Sequence, residues 1–288
     1  SNLILLFALW LPFGLLTFDK NNSSWEKEYA QLKELLTESE YSSARASVLD
    51  AFFTSPIIVD GIYEALANFG FEGGNVLEPA MGIGNFFGRM PEEMRADSKL
   101  YGMEIDSISG RIAKQLYPDA DIAIKGFEHN NFQDGSFDVA IGNVPFGELS
   151  FKDNKHNTTK LHDYFFAETL DKVKGGGIVA FVTSAGTLDK RDESTRKALA
   201  EKADFIGAIR LPGGKDGAFK ENAGTEVTTD IIFLQKKGAE TPEKENELNW
   251  ISIGETEEGL PINSYFAENP DMVLGKVVEG NKLYGSGT

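Results

Sequence analysis

The sequence predicts an α/β protein: a mostly parallel sheet flanked by helices, with an antiparallel last strand. Three observations lead there. From Asn75 to Lys237, short apolar runs alternate with helical stretches, which puts crossover helices on both faces of a parallel sheet. The last two apolar runs are joined by a Gly-rich loop, PGGKDGAFKENAGTEV, instead of a helix, whereas parallel neighbours need a crossover. The length, 288 residues, suits one large α/β domain or two small ones.

SNLILLFALWLPFGLLTF is the most apolar stretch. It has no basic leader region and no small-residue cleavage site, and Pro12 and Gly14 interrupt it. It is also short for a membrane span, so it reads as a buried or partner-covered segment. The chain begins without Met and reads as a piece of something longer. Ser23 and Glu26 have capping-box spacing, and Trp25, Tyr29, Leu32 and Leu36 follow on one helical face. Residues 1–50 are therefore expected to form an N-terminal helical arm.

Residues 51–237 hold the main domain. Pro56 suits a first helical turn, Ile58, Ile62, Leu66 and Phe69 form a buried stripe, and Gly70 is a stop signal. The strands read as NVLE, LYGMEI, DIAI, FDVAIG, GGIVAFVT, DFIGAIRL and TTDIIFLQK, with helices over 107–116, 161–173 and 190–202. Beyond Lys237, KKGAETPEKENE has linker composition. Residues 238–288 read as an acidic linker and tail, too short for a core of their own.

Composition excludes several chemistries. With no cysteine there is no disulfide, thiolate metal site or cysteine nucleophile. Three scattered histidines give no basis for a metal site. A net charge of −17 argues against a broad basic face, so nucleic-acid contacts must be local or come from outside the chain. Lys152, Lys155 and Lys160, with Lys215 and Lys220 in the Gly-rich loop, are the local candidates.

Four strand ends carry candidate chemistry. In NVLEPAMGIGNFFG, Glu78 ends a strand, Gly82 and Gly84 let a ligand approach the backbone, and Phe86 opens the next apolar turn. The third glycine of a pyrophosphate cradle is missing, and an acid beside bare backbone suits a cationic, amine-bearing ligand. In LYGMEID, Glu104 can accept both hydroxyls of a ribose, while Asp106 reads as a helix cap. In IKGFEHNNF, Phe127 can pack on an adenine ring or belong to the core, and Glu128 can accept from an amino group. Last, FDVAI runs into Asn143, Val144, Pro145 and Phe146, a rigid turn that shows solvent an amide and an aromatic ring.

In this order FTSPIIVDGIYEAL, LEPAMGIGNFFG, YGMEID, FDVAIGNVPFG, GGIVAFVTSAGTL, IRLPGG and AGTEVTTDIIFLQK resemble the S-adenosylmethionine-dependent N6-adenine DNA methyltransferases. AFKENAGTEVTTDIIFLQKK is similar to the methylase-like region of very large helicase–methylase proteins of conjugative elements and phage. The resemblance covers roughly residues 40–237. It implies a Rossmann-like class I methyltransferase fold, with seven strands and an antiparallel last one, and a cytoplasmic location. It implies that Thr54, Ser55 and Pro56 approach the methionine part of the cofactor. Glu78, Pro79, Ala80, Gly82, Gly84, Asn85 and Phe86 would line it, Glu104 would hold its ribose, and Ile105, Phe127 and Glu128 would meet its adenine. Asn143 and the Val144 carbonyl would orient the target amine, Pro145 would stiffen the turn, and Phe146 would stack on a flipped base.

Two departures stand out. The turn reads Asn-Val-Pro-Phe where the family has Asn-Pro-Pro-Tyr/Phe, and Gly126 stands where many relatives have an acid facing the cofactor adenine. Three functions remain open at this point. They are an adenine-N6 DNA methyltransferase domain, a non-catalytic cofactor- or nucleic-acid-binding module of a larger helicase-like protein, and a methyltransferase acting on glutamine amides of proteins. For the first, DNA would be bound chiefly by regions outside this chain.

Overall fold

Alternation along the strands separates two cores, one on each face of a sheet. The computed structural model describes residues 23–38, 40–41, 54–145, 150–214, 217–219, 227–238 and 248–278. Among these, seven strands form the main sheet: β1 (Asn75–Glu78), β2 (Lys99–Glu104), β3 (Asp121–Ile124), β4 (Phe137–Asn143), β7 (Val173–Ser184), β8 (Ala203–Leu211) and β9 (Thr229–Lys236). Their order is β3-β2-β1-β4-β7-β9-β8. The first five are parallel, and β9 runs antiparallel between β7 and β8. The fold is that of a class I methyltransferase, as the sequence predicts.

Val76, Val139, Ile141, Ile178, Ala180, Val182, Ile231 and Phe233 face one way. There they meet α2 (Pro56–Asn68), which buries Ile58, Ile62, Tyr63 and Leu66, and α3 (Asn85–Arg89). Leu77, Ala140, Val179, Phe181, Ile232 and Leu234 face the other way, against α6 (Leu161–Lys172) and α8 (Ser194–Lys202). Pro56 starts α2 and Gly70 follows its end at a φ of 87°, as the sequence signals. Between α3 and β2 lies α4 (Glu92–Ala96), and α5 (Ser107–Leu116) follows β2.

The sequence order reverses at β1. Chain growth goes outward through β2 and β3, then returns to β4 on β1's other side. A crevice between the carboxyl ends of β1 and β4 is where open α/β sheets take ligands.

Several segments depart from expectation. The arm's first helix, α1 (Glu26–Leu35), is preceded by a 3-10 turn at Ser23–Trp25 and makes no side-chain cap bond. The reciprocal cap lies later: the Thr37 amide donates to Glu40 Oε2 at 3.0 Å, and the Glu40 amide donates to Thr37 Oγ1 at 3.2 Å. The arm is thus broken at Leu36–Thr37, and residues 42–53 lie outside the described residues. Leu32 and Tyr41 dock on Ile108 and Ile112 of α5. The helix expected over 190–202 begins at Ser194, since Asp192 accepts from the Ser194 amide and Lys190 is extended; a short α7 (Gly186–Asp189) precedes it.

Two additions were not foreseen. Strands β5 (Ser150–Asp153) and β6 (Thr158–Lys160) make a hairpin just after the Asn143 turn. Beyond the linker, a 3-10 turn at Leu248–Ile251, strands β10 (Ile253–Glu255) and β11 (Pro261–Asn263) and α9 (Ser264–Glu268) do not trail as a tail. They pack on the second core through Trp250, Ile262 and Phe266, with Trp250 stacked on Phe205 at 4.9 Å. Buried Arg196 donates to the Ile251 carbonyl at 2.6 Å, which anchors the segment. Among the described residues no helix is long and apolar enough to cross a membrane. The apolar N-terminal stretch lies outside them.

Candidate active site

Three strand ends meet at the crevice. Glu78 closes β1, Glu104 closes β2 and Asn143 closes β4. A Cβ added to Gly142 would sit 3.5 Å from Glu78 Cγ, so β4 passes directly beside that acid. The start of α2 joins them: Asn143 Nδ2 donates to Thr54 Oγ1 at 3.2 Å, which ties the turn to the Thr54-Ser55-Pro56 entry and turns the amide oxygen away from it. Thr54 is buried, Ser55 half-buried and Pro56 exposed.

The loop after β1 is shaped by two glycines. Gly82 (φ 56°) would carry a Cβ into open space among the described atoms, so its backbone is bare toward the crevice. Gly84 (φ 86°) has a different reason, since a Cβ there would strike the Tyr117 ring, whose hydroxyl donates to the Gly84 carbonyl at 2.7 Å. Glu104 pins the loop. Its Oε2 accepts from the Gly82 amide and its Oε1 from the Asp106 amide, both at 2.7 Å. Burial pushes the Glu104 carboxyl up from its ordinary range, and those amides pull it back. Asp106 caps α5, accepting from the Ser109 amide and hydroxyl.

Glu78 has no such support. It is 2% exposed, and no donor among the described residues reaches its Oε2. Burial, and then the negative charge of Glu104, push its carboxyl well above the usual range. Pro79 is buried beside it, and Ala80 and Asn85 are half-buried along the loop and the first turn of α3.

Not every expected residue faces the crevice. Phe86 is 2% exposed and packs in the first core under α2; only its carbonyl takes part in a polar contact, accepting from Tyr63 Oη at 2.9 Å. Phe127 is equally buried, stacked on Phe165 at 5.3 Å and edge-on to Tyr164. Its ring belongs to the second core and has no face to offer an adenine. Phe127 thus takes the core alternative, and Phe86 joins the core in place of the crevice, for one reason: a Phe after a strand is apolar payload first, and the helix behind it decides its direction. Ile105 is the reverse case, with 73% of its surface exposed at the end of β2. Exposed Glu128 folds back, so that a Cβ at Gly126 would fall within 2.6 Å of its carboxyl atoms. Its carboxylate thus lies where a side chain at position 126 would begin.

At the turn, the Val144 amide donates to the Val182 carbonyl at 3.0 Å and its side chain is buried in the second core. Pro145 is half-buried; Phe146, Lys215 and Lys220 lie outside the described residues. The hairpin that follows is latched to α6. Lys155 Nζ meets Glu168 at 2.7 Å and Asp171 at 3.0 Å, and His156 bridges Asp153 and Asp171. Lys155 is therefore engaged within the chain and is no ready phosphate contact. His156, Glu168 and Asp171 have the spacing of a cation site, but Lys155, Lys172 and Lys202 already neutralise those acids. The turn signal DNKHN, with Asn157 at a φ of 54°, could have disclosed this hairpin.

The sequence profile of N-6 DNA methylases matches residues 34–256. The chain belongs to that family. Defense against restriction protein B of Escherichia phage P1 is 34% identical to this chain over 203 residues, covering 67% of the chain but only 8% of the phage protein. Solved structures share its fold, and two of them illustrate it. One is a putative class I S-adenosylmethionine-dependent methyltransferase of Listeria monocytogenes, with a TM-score of 0.57, 16% identity and coverage of 84% and 83% of the two chains. The other is a modification subunit of a putative type I restriction enzyme of Vibrio vulnificus, with a TM-score of 0.55, 17% identity and coverage of 86% and 56%.

Proposed function

We propose that this N-6 DNA methylase domain binds S-adenosylmethionine and transfers its methyl group to the N6 amine of adenine in DNA. The observation that carries the reading is the convergence of Glu78, Glu104 and Asn143 at one crevice, with Asn143 tied to Thr54. The residues present fit the cofactor. The unpartnered Glu78 oxygen suits its ammonium group, and the bare Gly82 backbone leaves room for its chain. Glu104 keeps lone pairs for the ribose, and exposed Ile105 offers an apolar floor for the adenine. Glu128 stands beside Gly126 as an acceptor for the adenine amino group.

When bound, S-adenosylmethionine supplies an electrophilic methyl group on a sulfonium. The chain's own work is on the target. An adenine amine is a weak nucleophile because its lone pair is delocalised into the ring. The Asn143 side-chain oxygen and the Val144 carbonyl accept from its two hydrogens and favour a more pyramidal nitrogen. The Thr54 bond keeps the Asn143 amide from rotating. Phe146 is assigned the flipped base, where stacking contributes about 1–3 kcal/mol.

The chain spans about 8% of the phage relative's length, so a longer parent, with further DNA-binding and helicase-like regions, belongs to this proposal. A net charge of −17 supports the same division of labour. Incubation with methyl-labelled S-adenosylmethionine and DNA, RNA or protein, followed by analysis of the modified monomer, tests the reading. N6-methyladenine from DNA is expected. Asn143→Ala is expected to lower the rate by roughly 100–1000-fold, the usual cost of removing one aligned polar group. Label in glutamine, or unchanged turnover in the variant, would reject it.

A further inference from the structure

Glu78 is an anomaly within its own site. It is buried at the end of β1, yet no donor among the described residues reaches its Oε2. Tyr63 Oη donates to the Phe86 carbonyl and Tyr117 Oη to the Gly84 carbonyl. Arg95 Nη1 donates to the Phe87 carbonyl. The Gly82 and Asp106 amides both serve Glu104. Among the described residues no Lys, Arg or His forms an ion pair with Glu78, and the charge acting on it from β2 is the like charge of Glu104. An ionised carboxylate so placed costs several kcal/mol unless a cation arrives.

We infer that Glu78 is a charge-selecting residue, protonated in the empty crevice, that releases its proton to solvent as the cationic amino-acid end of the cofactor binds. This rests on the cofactor reading above. The O–H bond of the carboxylic acid breaks, the proton goes to buffer, and the carboxylate left behind faces the ligand's ammonium group. Glu104 does not share the role, because two backbone amides already support its charge in the empty site. The thermodynamic sign follows. Free Glu78 holds its proton to higher pH than bound Glu78, so affinity rises with pH between those two limits, by up to about tenfold per unit, and levels off above them.

Calorimetric titration of the 288-residue chain with S-adenosylmethionine at about pH 6.5, in buffers of different ionisation enthalpy, counts the protons; the ligand's own amine is protonated there. Net proton release, of up to one proton per ligand, is expected. Glu78→Gln should bind with none released and with a flat pH profile, while Glu104→Gln, though weaker, should still release it. A deaminated cofactor analogue should release none. Binding without proton release in the unsubstituted chain, or a proton lost equally by Glu78→Gln, overturns the inference and leaves the cofactor reading intact. No binding at all overturns both.

Discussion

Glu78 and Asp230 are buried carboxylates at the same end of one sheet, and their surroundings treat them in opposite ways. Asp230, the second residue of β9, receives a two-pronged contact from Arg210 of β8, at 2.8 and 2.9 Å. The third guanidinium nitrogen meets Asp189 at 2.7 Å, and the plane lies 4.4 Å from the Phe266 ring. Burial alone would lower the Arg210 pKa, but the two acids hold it well above its ordinary value. Glu78 has only burial and a second acid. A buried charge that serves the fold arrives with its counter-charge. On the cofactor proposal, the one that lacks it is answered by a ligand.

The widest break in this comparison comes from the paired acid. Asp230→Ala leaves Arg210 buried with only Asp189, which is half-exposed. Removing one partner of a buried pair costs about 3–5 kcal/mol, so the variant should unfold at clearly lower denaturant, read by the chemical-unfolding midpoint. It should also loosen residues 248–272, since Asp189 accepts the Asn263 amide and Arg210 packs on Phe266.

Next in size is the supported acid of the crevice. Glu104→Ala removes the proposed ribose acceptor, where each bond to a charged group contributes about 1.5–3 kcal/mol. Cofactor affinity by calorimetry should fall at least tenfold. The same change frees the Gly82 and Asp106 amides, so the loop after β1 should exchange its amide hydrogens faster. Unchanged affinity would remove Glu104 from the cofactor site.

These acids also show what was legible beforehand. Strands β1, β3 and most of β4 could be read because alternation and strand length are local properties, and an acid at a strand end is visible by position alone. Whether that acid is paired could not be read. The Arg210–Asp230 contact spans 20 residues and the Thr54–Asn143 contact 89. The same limit hid the destination of Phe86 and Phe127, whose apolar neighbours come from α2 and α6. It also hid residues 248–272, whose acidic composition masks Trp250, Ile262 and Phe266. Where the amide of Asn143 points needed three-dimensional structure; that it closes a strand did not.

A smaller effect sharpens the contrast by its sign. Because burial raises the Glu78 carboxyl above its unfolded-state value, the empty protein loses stability as pH climbs from that value toward the folded one. Glu78→Gln keeps the shape and removes the titration. The ligand-free variant should melt slightly higher at neutral pH, by ~2–4 °C for each kcal/mol relieved. Asp230→Ala moves the other way. A lower midpoint for Glu78→Gln would mean that the unpartnered acid stabilises the fold after all.

The smallest effect belongs to the hairpin latch, where counter-charges are plentiful but wet. Lys155 is 50% exposed, although it touches both Glu168 and Asp171. Exposed pairs contribute about 0–1 kcal/mol, so Lys155→Ala should shift the melting midpoint little at neutral pH. Acid should have more effect. Burial favours a raised Asp171 carboxyl, yet hydrogen bonds from Lys202, His156 and Lys155 hold it below its ordinary value. A depressed carboxyl contributes stability above its unfolded-state pKa and loses it as pH falls through the folded value. The latch should therefore hold at neutral pH and open in strong acid. Amide exchange of residues 150–160 across an acid series reads this directly. Opening of the hairpin near neutral pH would show that the latch is weaker than its contacts imply.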